Sequence, residues 1–241
     1  PRLSLSFALT EDIDLNANLG RSAMRPSYPL MGYRASDGSY PNQERLGYII
    51  SHQAVLGAEY HPGDYLRFSA EGFYKAYSGY PISELEGVSL ASKGTEYGQV
   101  GDEAVESTGL GRAYGLELVA RLSPWRQLSA TATYTLFRSE FTDRAGVYRP
   151  SSWDTQQMLN LLLSYRLGKS WYLSARWRYI GGAPYTPVDM ERSTDRAAWA
   201  LTHRAYPDYT RFNTLRLPDK HQLDLRLDKE FYFKRWMLNL Y

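Results

Sequence analysis

The chain has 241 residues, a net charge of +2, 15% aromatic residues including 21 Tyr, and no cysteine. Near-balanced charge argues against a nucleic-acid partner, which would call for Lys and Arg gathered into a basic patch, and the missing cysteines exclude disulfides, thiolate catalysis and cysteine metal sites. High aromatic content with a negative mean hydropathy is the composition expected of a β-barrel with a wet lumen.

No stretch approaches about 18 consecutive apolar residues, so no transmembrane helix is predicted. The opening, Pro1 followed by RLSLSFAL, lacks the charged and apolar regions of a signal peptide and reads as the inside of a strand. The closing RWMLNLY also stops in an alternating run. Both ends therefore suggest a piece of a longer polypeptide.

Arg2 to Leu9 alternates Leu3, Leu5, Phe7 and Leu9 with Ser4, Ser6 and Ala8, and a turn near Thr10 to Asp12 leads to a second strand from Ile13 to Leu19. Residues 20–45 carry Pro26, Pro29, Gly32, Gly38 and Pro41 and read as a loop. Leu46 to Tyr60 is a third strand, His61-Pro62-Gly63-Asp64 a turn, and Tyr65 to Tyr77 a fourth strand with Leu66, Phe68, Ala70, Gly72 and Tyr74 in register. A polar loop over 78–112 precedes the clearest hairpin. There Tyr114, Leu116, Leu118, Ala120 and Leu122 oppose Gly115, Glu117, Val119 and Arg121. After the turn, Leu128, Ala130, Ala132, Tyr134 and Leu136 oppose Ser129, Thr131, Thr133 and Thr135.

Residues 138–154 are again irregular, and Gln156 to Leu167 and Trp171 to Ile180 form a hairpin across Gly168-Lys169-Ser170. Its second strand opposes Trp171, Leu173, Ala175, Trp177 and Tyr179 to Ser174, Arg176 and Arg178. Arginines facing lipid are costly, so that face is assigned to the lumen. A long irregular segment over 181–219 leads to His221 to Glu230, where Leu223, Leu225 and Leu227 oppose Gln222, Asp224, Arg226 and Asp228.

This gives about 10 strands, each of roughly 10 residues and able to cross a bilayer when tilted. Their connections alternate short and long. That rhythm is the outer-membrane pattern of short periplasmic turns and long extracellular loops, and it places 20–45, 78–112, 138–154 and 181–219 outside the cell. A soluble β-sandwich would share the alternation but not the rhythm, nor a whole strand face filled by charges. Arg121, Arg166, Arg176, Arg178 and Arg226 are expected to join Glu117, Asp224 and Asp228 in a lumen network.

TGLGRAYGLEL (108–118), FSAEGFYKAYSGYP (68–81), SATATYTLFRSEF (129–141), YRPSSWDTQQMLNLLLSYRLGKSWYLSARWRYIGGAPYTP (148–187) and LPDKHQLDLRLDKEFYFKRWMLNLY (217–241) together resemble the late barrel strands of TonB-dependent outer-membrane receptors of the Bacteroidetes type. The resemblance implies an all-β, antiparallel transmembrane barrel portion, about 10 strands of an about 22-stranded barrel with a plugged lumen. Residues 1–241 would then be part of one barrel domain, with the plug and final strands absent. It also implies a bacterial outer-membrane receptor that captures a scarce ligand and imports it when the inner-membrane TonB complex acts through an N-terminal part. The partners implied are outer-membrane lipid, a small-molecule, glycan or peptide ligand, and a surface lipoprotein.

An enzyme is not expected, and neither is a cofactor or a metal centre. Gly109 to Gly115 lacks the spacing of a phosphate loop and enters a strand, and His52, His61, His203 and His221 show no metal spacing. A self-contained small barrel, porin-like or an omptin-like protease, is the alternative. The protease would use Asp219 and His221 with an acidic pair such as Asp12 and Asp14, which the topology puts at the opposite end. Candidate ligand contacts are Tyr148, Arg149 and Trp153 in one extracellular loop and Tyr185, Trp199, His203 and Tyr206 in another, where aromatic rings could stack on a sugar or chelate. The competing account of these rings is loop packing or an interfacial girdle.

Overall fold

A computed structural model describes residues 1–93, 101–203 and 205–241. In chain order its elements are β1 (Arg2–Ala8), β2 (Ile13–Met24), α1 (Tyr28–Met31), α2 (Pro41–Arg45), β3 (Ile49–Tyr60), β4 (Leu66–Ser83), β5 (Val105–Trp125), β6 (Leu128–Thr142), β7 (Tyr148–Pro150), β8 (Gln157–Gly168), β9 (Trp171–Ile180), β10 (Pro184–Tyr185), α3 (Met190–Ser193), α4 (Arg196–Thr202), β11 (Leu215–Arg216), β12 (Lys220–Tyr232) and β13 (Met237–Leu240). Every pairing is antiparallel, and the main sheet runs β1-β2-β3-β4-β5-β6-β8-β9-β12-β13, with β7 added on β6. The sheet is an open wall of a barrel. β10 and β11 make a small separate ribbon within the last long loop.

Register carries the two-faced pattern across the whole wall. The apolar row Tyr60, Phe68, Ala120, Ala132, Leu161, Trp177 and Leu223 is in strand-to-strand register. The neighbouring row of Glu59, Ser69, Val119, Thr133, Asn160, Arg178 and Gln222 points the other way. On the polar face Arg226 holds Asp228 through Nη2 to Oδ1 at 2.6 Å, and Arg178 reaches Gln222 at 2.5 Å. Of the expected lumen network, the Arg226–Asp228 pair forms within β12, while Arg178 bonds the Gln222 amide instead of a carboxylate.

Leu5, Leu56 and Leu225 on the opposite face are 67–70% exposed. Water would make so large an apolar surface an aggregation site, whereas bilayer hydrocarbon solvates it. The dry core lies elsewhere. Leu30, Ile82, Val88, Val105, Phe141 and Phe212 are all buried at the end carrying the long loops.

The short turns use the local chemistry that hairpins need. Lys169 and Ser170 both have positive φ, 50° and 64°, the twist that joins β8 to β9 without splaying them. The strands outrun the expected limits at the opposite end. β2 continues to Met24, β4 to Ser83 and β6 to Thr142, while β5 begins at Val105, so the loop expected over 78–112 shrinks to 84–104. At about 3.3 Å per residue the 21 residues of β5 span about 70 Å. That is well beyond the ~30 Å hydrocarbon core, and the excess stands above the membrane, tied together by the loops.

Candidate functional site

Two buried asparagines and one buried carboxylate join the four long loops. Asn42 donates to the carbonyls of Leu30 and Glu103, both at 2.8 Å, and accepts from the Val105 amide at 3.0 Å. Asn213 donates to the carbonyls of Ser92 and Pro150 at 3.0 and 2.9 Å. Asp154, fully buried, accepts from the Ser139 amide at 2.7 Å and pairs with Arg216 at 2.5 Å and Arg138 at 3.7 Å. Lys93 bridges Glu86 and Glu103. Asn42, Asn213 and Asp154 thus each meet a partner from another long loop, while Lys93 ties its own loop together, and the rim is held as one body.

Inside this rim the lumen face carries an aromatic bowl. Tyr77 (β4), Gly111 (β5) and Phe141 (β6) sit in one row. With no side chain on Gly111, the Phe141 ring lies across it and meets Tyr77 with centroids 5.5 Å apart. Gly79, at φ 71°, is an extra residue between paired Ser78 and Tyr80. This bulge shifts the alternation by one and turns Tyr80 to the lumen, 4.5 Å from Phe141. A β-carbon on residue 79 would stand 2.8 Å from the Tyr48 carbonyl oxygen, so glycine serves both conformation and fit.

The bowl encloses about 400 Å³, walled further by Met24, Ile49, Trp153 and the hydroxyls of Ser51, Ser139 and Ser151. Among the described residues no charged side chain lines it. Its chemistry is stacking and apolar contact with a few hydroxyl bonds, suited to orienting a ring-bearing ligand.

Of the residues expected to touch ligand, Trp153 lines the bowl and is 74% exposed. Tyr148 and Arg149 take opposite faces of β7. Tyr148 is level with Thr142 on the outward side and stacks under the Arg112 guanidinium at 4.1 Å, while Arg149, level with Phe141, binds Asp143 at 3.1 Å. Tyr185 belongs to the β10–β11 ribbon and Trp199 to α4, so the five do not converge on one cavity. Tyr206 donates its amide to Ser193 at 2.9 Å, and His203 sits at φ 50°. Tyr77, Tyr80, Gly111 and Phe141 were not identifiable from strand patterns alone, because their meeting depends on the register of three strands.

Asp219 and His221 each contact other groups near the β9–β12 rim. Asp219 accepts from the Tyr179 hydroxyl at 2.7 Å and the Gly182 amide at 2.9 Å. These bonds, the hydroxyl first, hold its carboxyl below the usual range. The His221 ring packs against Trp177 and Tyr179. Asp14 lies at the short-turn end, paired in register with Glu59 and 3.9 Å from His61. Asp208 in the last loop is likewise held low, first by the Thr210 hydroxyl. No group of three metal-ligating side chains occurs among the described residues.

Comparison with known proteins agrees with this architecture. The family model described as TonB dependent receptor-like, beta-barrel matches residues 1–241. The ferric-catecholate import receptor Fiu from K12 E. coli superposes with a TM-score of 0.63 at 14% identity, over 99% of this chain and 29% of that one. The ferripyoverdine receptor of the outer membrane of Pseudomonas aeruginosa gives 0.64 at 16% identity, over 95% and 26%. The ferric yersiniabactin uptake receptor FyuA from Yersinia pestis gives 0.61 at 14% identity, over 95% and 29%. At such identities the likeness is one of fold, and the chain spans under a third of the length of these receptors. A search of the curated proteins finds no sequence match. The two-faced wall, the alternation of short and long connections and the matching family model lead to one assignment: the chain belongs to the TonB-dependent receptor β-barrel family of the bacterial outer membrane.

Proposed function

We propose that the protein carrying this wall is a receptor that captures a scarce, ring-bearing ligand outside the cell and imports it into the periplasm with inner-membrane energy delivered through TonB. The observation that supports the reading best is the bowl of Tyr77, Tyr80, Phe141 and Trp153. It faces the lumen at the long-loop end, on a rim braced by Asn42, Asn213 and Asp154. A preorganised rim keeps the entropy cost of capture low. Ferric chelates are the first ligand class to test, because the three relatives above are described as receptors for ferric-catecholate, ferripyoverdine and ferric yersiniabactin. Glycans and peptides come next, and with them a surface lipoprotein as a lid. The proposal includes no enzymatic step.

The test is uptake of an ⁵⁵Fe-loaded siderophore extract by cells expressing the full-length receptor. Tyr77→Ala is expected to reduce uptake about ten-fold, the loss of ~1.4 kcal/mol of stacking, with receptor levels unchanged. Undiminished uptake in that variant, or equal uptake by a strain lacking the receptor, would overturn the reading.

A further inference from the structure

We propose that Arg149, oriented by Asp143, is an anion subsite at the edge of the aromatic bowl, and that the ligand is an aromatic acid whose ring enters the bowl while its carboxylate meets the guanidinium. The inference rests on the bowl being the place of capture.

Register sets the height of Arg149. Tyr77 on β4, Gly111 on β5, Phe141 on β6 and Arg149 on β7 stand in one row, and residues paired across strands share a face. Arg149 is therefore on the lumen side, beside Phe141 and away from Tyr77. The same segment continues into the bowl. Ser151 donates its hydroxyl to Ser139 at 2.8 Å, and Ser151 and Trp153 both line the cavity. Arg149 thus stands one alternate position beyond two of the bowl's own walls.

The guanidinium is held so that one end stays open. Its Nε donates to Oδ2 of Asp143 at 3.1 Å, while Oδ1 of Asp143 accepts from the Val147 amide at 2.9 Å. The Asp143 amide also donates to the Val147 carbonyl at 3.0 Å, so the carboxylate is fixed in the turn between β6 and β7. Nη1 and Nη2 have no partner among the described residues, although the side chain is only 30% exposed. Two parallel N–H donors at the end of a planar fork match the two oxygens of a carboxylate. A fork already held in place costs little entropy to use. Asp143 is a positioning residue, acting through Arg149.

The other charges of the lumen favour this end of the bowl. Lys75, one row below Tyr77, carries its ammonium 5.5 Å from the Phe73 ring centroid, on the side away from the bowl. Glu71 and Glu117 face each other two rows below Lys75 and repel an acid. Phe141 and Arg149 are register neighbours, with β-carbons about 5 Å apart. The acid group is therefore borne on the ring itself or within about two bonds of it.

The test uses the full-length receptor in detergent with two probes, 4-hydroxybenzoate and the uncharged 4-hydroxybenzamide, titrated by ligand-observed NMR. The acid is expected to bind about ten-fold more tightly than the amide. Arg149→Gln should remove that preference by bringing the acid to the level of the amide. Arg149→Lys, which keeps the charge and loses the fork, should retain only part of it, and Asp143→Asn should reduce it with amide binding unaltered. Tyr77→Ala should weaken both probes, whereas Lys75→Gln should leave their ratio unchanged. Retained heat-modifiable mobility on gels checks each variant for an intact barrel, and Arg149→Lys keeps the test decisive where Arg149→Gln does not fold. Equal binding of the two probes, or a preference lost in Lys75→Gln and kept in Arg149→Lys and Arg149→Gln, would overturn the inference and leave the bowl standing. Binding of neither probe would remove the bowl as a capture site and the inference with it.

Discussion

The rings of Tyr77 and Phe141 belong to strands that are not neighbours, yet their centroids lie 5.5 Å apart because Gly111 between them has no side chain. One missing β-carbon therefore joins β4 to β6 across β5 and shapes the floor of the bowl. An aromatic ring laid over a strand glycine also shields backbone that would otherwise be bare.

Glycines of β4 and β5 are expected to differ sharply on substitution. Gly111→Ala pushes the Phe141 ring aside, and Gly115→Ala meets the Leu136 carbonyl and Phe137 backbone, where nothing can yield. Overpacking of this kind costs ~1–3 kcal/mol, with Gly115→Ala the worse. Gly72→Ala enters open space and is expected to leave stability unchanged or slightly raised. Thermal unfolding of the three variants in detergent checks the order. A melting point for Gly111→Ala equal to that for Gly72→Ala would contradict it.

Breaking the Asp154 pairing is expected to release the rim without unfolding the barrel. The carboxylate is fully buried between Arg216 and Arg138, and removing one partner of a buried pair costs ~3 kcal/mol or more. Asp154→Ala should therefore raise the rate of protease cleavage in residues 181–219 by about a hundred-fold. Cleavage at the rate of the unaltered protein would mean that the loops are held by other contacts.

The pH response of the last loop follows from Asp219. Its carboxyl is held low by the Tyr179 hydroxyl and then the Gly182 amide. A depressed folded value contributes stability above the unfolded value, near 3.8, and that contribution disappears as the pH falls through the folded value. Hydrogen exchange of the Gly182 amide should accordingly speed up only below about pH 4. Tyr179→Phe, which removes the first of the two bonds, should shrink this acid-dependent loss of protection, and a loss of unchanged size would show that the hydroxyl does not contribute to it.

The two faces of the wall and the rhythm of its connections were legible in the sequence because period-two alternation and turn chemistry are local. Leu116 against Glu117 or Leu225 against Asp224 needs no knowledge of any neighbour. The bowl was not legible, since Tyr77, Gly111 and Phe141 are far apart in sequence and meet only once register is set. The strand tops were misread for a related reason. Residues 20–24 and 78–83 lie above the membrane, where loop packing replaces the lipid-facing signal, and Gly79 breaks the alternation on which a reader relies. Asn42 and Asn213 fall in the segments 20–45 and 181–219 expected as loops, yet each is buried and joins segments distant in sequence. Trp153 was identifiable as an exposed aromatic in a long loop, whereas nothing local told Tyr148 from Arg149, which point to opposite sides.

The most direct measurement is of the medium against each face. The chain has no cysteine, so Leu118→Cys and Val119→Cys, adjacent on β5, can each carry one fluorophore in the full-length receptor reconstituted in vesicles. Label on residue 118 is expected to be quenched by brominated lipid and label on residue 119 by aqueous iodide. Equal quenching of both by iodide, or the reverse assignment, would contradict the account of a membrane wall with lipid outside and a ligand-receiving lumen within.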